Sequence, residues 1–197
     1  MANSDVQICS NALRIIGADS ITALTDDNDR ARLMNGLYLP TLEEKIQSHT
    51  WNFAQRRVAL ARLTDTPAYD FTYMFQLPQD PRCLQVLETN LNEDDKWRIE
   101  TYATTTATYR VLLTDVSTIS ILYLALITDA TLYSPLFSRA MEYELAYLAS
   151  YPLTRNAAMR DLLFKDKELA WQKARSRDGQ ESRALKKLLS SSFTSVR

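Results

Sequence analysis

Phe71-Thr72-Tyr73-Met74-Phe75-Gln76-Leu77-Pro78 is the stretch where the chain changes period. Aromatic side chains stand on every second residue through Phe75, the spacing that lines one face of an extended strand. Pro78 then ends the run, because it has no N–H to give to a ladder. Nothing before Trp51 or after Ser134 reads this way, so this octapeptide decides against a purely helical bundle and for an α+β chain.

Working outward, the neighbours extend the β reading in both directions. Upstream, Val58, Leu60 and Arg62 alternate weakly with Ala59 and Ala61. Downstream, Leu84 to Leu87, Trp97 to Glu100, Tyr109 to Leu113 and Ile119 to Ile127 are short runs bounded by turn residues. The Thr- and Ala-rich stretch 101–108 predicts a hairpin tip. These runs predict one small antiparallel sheet or barrel-like unit inserted in the middle of the chain.

Helical periodicity flanks it. Ser4 with Gln7 three residues later has capping-box form, and Val6, Cys9, Leu13 and Ile16 share a face before Gly17. A second helix opens after Asp26-Asp27-Asn28, carries Met34, Leu37, Leu42 and Ile46, and is predicted to kink or split at Pro40. Ser134-Pro135 opens a third, predicted to end at Tyr151-Pro152. A fourth is predicted over Asn156 to about Arg177, with Met159, Leu162, Leu163, Leu169 and Trp171 apolar, broken by Asp178-Gly179. The expected organisation is N-terminal core helices over 1–54, a β-rich part over 55–130, C-terminal core helices over 131–178 and an extended arm over 179–197.

The charge is unevenly placed. The net charge of −1 divides into 12 basic against 19 acidic residues over 1–154 and 11 against 5 over 155–197. A basic C-terminal part points to an acidic partner, protein or nucleic acid. Lys165, Lys167, Lys173, Arg175, Arg177, Arg183, Lys186 and Lys187 make the arm basic. Leu162, Leu163, Leu169 and Leu185 give it apolar anchors that suit a protein groove better than a phosphate backbone.

Catalytic signatures are sparse. His49 is the single histidine and there are three glycines, so neither a zinc spacing nor a glycine-rich phosphate loop is present. Cys9 and Cys83 read as small buried apolar residues in a reducing, cytosolic setting, since two cysteines make no disulfide framework. Carboxylate pairs at Glu43/Glu44, Glu93/Asp94/Asp95 and Glu142/Glu144 satisfy the minimal need of a glycoside hydrolase, but all three sit in runs that read as solvated faces. No run of about eighteen apolar residues predicts a membrane span, and the first residues carry no secretory pattern. The expectation is a non-catalytic protein with no cofactor, no metal and no membrane partner.

The order of signals then carries a resemblance. Leu13-Arg14-Ile15-Ile16-Gly17, an Asp-rich loop, Ala31-Arg32-Leu33, Leu37-Tyr38, Glu43-Glu44 and His49-Thr50-Trp51-Asn52-Phe53-Ala54 come first. Arg57, Tyr73-Met74-Phe75-Gln76-Leu77-Pro78, Trp97-Arg98-Ile99-Glu100, Thr128-Asp129 and Ser134-Pro135-Leu136-Phe137 follow. From about residue 4 to about residue 178 this resembles the head-to-tail adaptor proteins of short-tailed bacteriophages, the tail tubular protein A family. The resemblance implies a viral structural protein of the virion's head–tail junction, made in the host cytoplasm. It implies a twelve-fold ring under the portal protein, a lumen that passes DNA without sequence-specific contacts, a β-rich side that receives the tail nozzle and an arm that grips the portal. On charge and periodicity the portal contact falls to Lys173, Arg175, Arg177, Arg183, Leu185, Lys186, Lys187 and Phe193. The nozzle contact or the lumen falls to Glu93, Asp94 and Asp95 and to Thr104, Thr105 and Thr106. Two other readings stay open: a DNA-binding structural protein using the same arm, and a carboxylate-based peptidoglycan hydrolase.

Overall fold

The computed structural model describes residues 4–105 and 107–181. Its elements follow the chain as α1 (Asp5–Ile15), α2 (Asp29–Gln47), β1 (Gln55–Ala59), β2 (Tyr73–Gln76), β3 (Cys83–Thr89), β4 (Trp97–Ala103), β5 (Thr108–Thr114), β6 (Ser120–Ala125), α3 (Pro135–Thr154) and α4 (Ala157–Glu181). The class is α+β, with the strands lying between two pairs of helices.

Local chemistry sets the helix starts. The Ser4 hydroxyl accepts from the Gln7 N–H at 3.1 Å, Asn28 Oδ1 from Ala31 N–H at 2.8 Å and the Ser134 hydroxyl from Phe137 N–H at 3.2 Å. Each cap satisfies a donor that the first turn leaves without a partner. Gly17, at φ +74°, turns the chain away after α1.

Three expected helix breaks are not breaks. α2 runs unbroken through Pro40, since Ala31, Met34 and Tyr38 before it and Thr41, Leu42 and Ile46 after it are buried along one helix. Losing one backbone bond is outweighed by that packing. α3 passes Pro152 and ends three residues after Tyr151, where Arg155 takes the left-handed conformation at φ 55° and bonds back to the Tyr151 carbonyl at 2.9 Å. α4 continues past Asp178-Gly179 to Glu181, because Asp178 is buried and bonded to the 49–52 turn. Glycine at an exposed helical position costs only about 1 kcal/mol, which such anchoring offsets.

The β part is two three-stranded antiparallel sheets, ordered β1-β6-β3 and β2-β5-β4, and not one sheet or a barrel. Strand pairing jumps in sequence: β1 joins β6 with Gln55 opposite Leu124, while β4 and β5 form a hairpin from Trp97↔Thr114 to Ala103↔Thr108. The hairpin tip lies where the Thr-rich stretch placed it.

One continuous core joins helices and sheets. It gathers Cys9 and Leu13 from α1, Met34 and Leu42 from α2, Phe75 from β2, Leu112 from β5, Leu124 from β6, Met141 from α3 and Trp171 from α4. A smaller cluster of Met74, Val111 and Leu113 lies on the opposite face of the β2-β5-β4 sheet. Both Met74 and Phe75 are therefore buried, and the alternation that marked the strand does not separate an inner face from a wet one.

Phe137 is the aromatic hub of the helical side. Its ring meets Trp51 and Phe53 at 4.9 Å, Tyr133 at 5.1 Å and Trp171 at 5.5 Å, mostly edge to face. The indole N–H of Trp51 donates to the Lys45 carbonyl at 2.8 Å, so this buried ring leaves no polar atom unsatisfied. The Trp51-Asn52-Phe53-Ala54 segment thus works as the joint between the end of α2 and β1.

Candidate docking surfaces

The position of α4 follows from its buried stripe. Leu163, Lys167, Trp171, Ala174 and Asp178 recur every three or four residues and face inward. Two of these are charged, and each has built partners. Lys167 Nζ meets Glu144 at 3.2 Å, and the same carboxylate accepts the Trp171 indole N–H at 2.8 Å and faces Lys45 Nζ at 3.5 Å. Burial pushes the Lys167 ammonium down, but the charge and hydrogen bonds of Glu144 and Glu168 outweigh it and hold Lys167 above its ordinary value. Further along, Asp178 accepts the Asn52 N–H at 3.1 Å and meets His49 Nε2 at 3.2 Å, while its carbonyl takes the Asn52 side-chain amide at 2.6 Å.

These contacts revise the reading of the carboxylates. Glu142 and Glu144 are buried at 7% and 4% exposure and do not lie on a solvated face. Glu142 takes Arg139 and the Asn11 amide, both at 2.7 Å, tying α3 to α1. Glu43 pairs with Arg82 and Glu44 with Lys45. Glu93, Asp94 and Asp95 lie in the loop between β3 and β4, where Asp95 accepts the Asn92 N–H at 2.9 Å. Cys9 and Cys83 are buried free thiols, and burial pushes them up to about 12 and about 11, so both are neutral at ordinary pH. Among the described residues no group of three His, Cys, Asp or Glu is arranged to hold a metal.

Outside its buried stripe α4 leaves three large apolar side chains partly uncovered. Leu162, Phe164 and Leu169 are 61%, 50% and 49% exposed. Leu162 and Leu169 are seven residues apart and share a side, and Leu169 lies next to Leu136 of α3. Between the two helices runs a groove of about 270 Å³ lined by Leu136, Arg139, Tyr143, Asp166, Leu169 and Lys173. On the other flank Phe164 meets Tyr147 with ring centroids 5.9 Å apart, and Arg160 lies over the Tyr147 ring.

The expected portal residues scatter around this helix. Lys173 lines the groove, whereas Arg175, two residues on, points roughly 200° further around the axis. Arg177 reaches Glu181 at 3.9 Å. Arg183, Leu185, Lys186, Lys187 and Phe193 lie outside the described residues, as does Thr106. The nozzle candidates are not brought together: Glu93 to Asp95 precede β4, while Thr104 and Thr105 follow it. A seven-residue strand separates the two groups by roughly 20 to 25 Å.

Sequence reasoning missed Leu136, Tyr143 and Phe164 as surface features. It also grouped Leu162 and Leu169 with Leu163, although only Leu163 faces the core. The seven-residue repeat was the available signal.

Among the described residues no helix is long and apolar enough to cross a membrane. Comparison with protein-family models and with curated proteins finds no match to this chain.

Proposed function

We propose that this chain is a non-catalytic structural adaptor subunit, assembling as a ring of about twelve copies at a phage head–tail junction. It joins the portal to the tail nozzle and leaves a lumen for DNA. The ring, the portal and the number of copies rest on the family resemblance of the Trp51-Asn52-Phe53-Ala54 and Phe75-Gln76-Leu77-Pro78 segments in their order. The observation that carries the docking part is α4. One stripe of the helix is clamped by Glu144 and by the Asp178 contacts, while Leu162, Phe164 and Leu169 stand in water on the remaining surface. A rigid helix with unburied leucines fits recognition of another protein's groove. The carboxylates of Glu142 and Glu144 are held in ion pairs, which favours a structural over a hydrolytic role for them.

A truncation after Glu181 tests the reading while leaving the Asp178 contacts in place. The shortened chain should fold with an unchanged melting curve and fail to co-sediment with portal rings. Full retention of portal binding would remove the arm from the account.

The DNA-binding reading draws on the same basic excess. Over α4 itself, however, six basic residues face five acidic ones, so the excess belongs to the sequence after Glu181. Duplex binding that falls steeply between low and moderate salt would favour it, and no binding at low salt would eliminate it.

A further inference from the structure

The free edges of the two sheets are defended unequally. β1 has five residues and carries Arg56 and Arg57. β2 has four, and part of its outer edge is taken by an isolated bridge from Arg62 to Phe75. β3 is as long as β4 but slips register twice, between Cys83 and Gln85 and between Val86 and Glu88. β4 carries charges too, but Arg98 and Glu100 are of opposite sign and can pair across two copies, and the strand has none of the other devices. Its seven residues keep an unbroken register against β5, with no proline and no bulge, and its side chains are mostly exposed. A long, regular, unprotected edge is a template for another strand.

The polarity of that edge can be read from its neighbours. The Leu77 N–H donates to the Arg110 carbonyl at 2.9 Å, on the β2 side of β5. Arg110 therefore faces away from β4, and antiparallel alternation makes Arg110↔Thr101 a non-hydrogen-bonded pair. Thr101, with Trp97, Ile99 and Ala103 at two-residue spacing, then directs its N–H and C=O outward.

We propose that β4 is a self-pairing edge: two copies of this chain join antiparallel along residues 97–101, centred on Ile99, into one six-stranded sheet. Centring on Ile99 matches outward donors to outward acceptors at residues 97, 99 and 101. It also sets Arg98 opposite Glu100 of the second copy, and Glu100 opposite its Arg98. In the single chain these two exposed side chains pair with each other, at 3.3 Å along the same strand, with no other ion-pair partner among the described residues. Centring instead on Glu100 would oppose two like charges, which disfavours that register. On the same face lies a cavity of about 310 Å³ floored by Met74, Val111 and Leu113, with Tyr69 at its wall. Tyr69 and Trp97 are 78% and 42% exposed, so aromatic area stands uncovered beside the edge. An isologous contact closes on two copies and does not propagate into a ring. The pairing therefore describes the free subunit and does not depend on the adaptor reading.

Sedimentation velocity of the full chain from nanomolar to high micromolar concentration should show a concentration-dependent monomer–dimer equilibrium. Ile99→Pro removes an N–H that serves no bond to β5, so the fold survives while the central pair is lost. Dimer affinity should fall about tenfold or more. Glu100→Arg should weaken the dimer, and Arg98→Glu combined with Glu100→Arg should restore it; circular dichroism melts check that all variants stay folded. A monomer at every concentration, or a dimer indifferent to Ile99→Pro, would overturn the proposal. A double variant as weak as the single one would overturn the register. Amide protection of β4 that appears only when a foreign extended peptide is added would overturn the second copy as its occupant.

Discussion

Removing the Glu144 carboxylate should be among the most damaging single changes this chain can undergo. The group is 4% exposed and serves three donors: Lys167 Nζ, Lys45 Nζ and the Trp171 indole N–H. Breaking a buried ion pair by deleting one partner costs about 3–5 kcal/mol, and a buried indole left without an acceptor adds about 1–3 kcal/mol. Lys45 and Lys167 have solvent-side alternatives in Glu44 at 2.9 Å and Glu168 at 3.3 Å, which return part of that loss. The expected cost of Glu144→Ala is therefore about 3 kcal/mol. Lys167→Met should cost less, because Glu144 keeps Lys45 and Trp171. The pair Glu144→Leu with Lys167→Met should be milder than Glu144→Ala alone, which is the signature of a stranded charge.

Urea unfolding followed by tryptophan fluorescence reads these differences directly, since Trp51 and Trp171 are fully buried. A pH series adds a second constraint. Lys167 is raised above its ordinary value of 10.5, so its contribution is complete below that value and lost as pH climbs through the folded-state value. The gap between wild type and Glu144→Ala should thus narrow above pH 10.5. A cost under about 1 kcal/mol would refute the stranded-charge argument. So would a gap that stays constant across the alkaline range.

Other perturbations test separate parts of the structure. Asp178→Ala leaves the Asn52 N–H without its acceptor and should cost about 2–3 kcal/mol by the same urea assay. Pro40→Ala restores a helical N–H at an exposed position and should stabilise α2 by about 1–3 kcal/mol, seen as a higher melting midpoint. Cys9 and Cys83, with thiols raised to about 12 and about 11, should resist a thiol-specific reagent at neutral pH and react only on unfolding. Leu162→Asp with Leu169→Asp should change stability by less than about 0.5 kcal/mol, as exposed substitutions do, yet abolish capture by portal rings.

What the sequence disclosed was local, and what it withheld was not. The Phe71 to Pro78 alternation, the Ser4, Asn28 and Ser134 caps and the hairpin tip at 104–107 depend on neighbours within a few residues. Each is legible for that reason. The division into two sheets depends on β1 finding β6 more than sixty residues away, which no local period encodes. Pro40, Pro152 and Gly179 were read by their intrinsic cost, and burial of their neighbours overrode it. Glu142 and Glu144 misled in the same way: apart from Arg139, three residues before Glu142 on α3, their partners come from α1, α2 and α4, so sequence neighbours suggested solvent where tertiary contacts supply Asn11, two lysines and an indole. Of the docking surface, the excess of leucines on α4 was visible, but not which of them the core leaves uncovered.

Electron microscopy of the purified chain mixed with the portal protein encoded alongside it tests the adaptor account most directly. The account predicts a second ring stacked coaxially beneath the portal, with a continuous central channel. Portal rings that stay bare at saturating concentrations of the chain would contradict it.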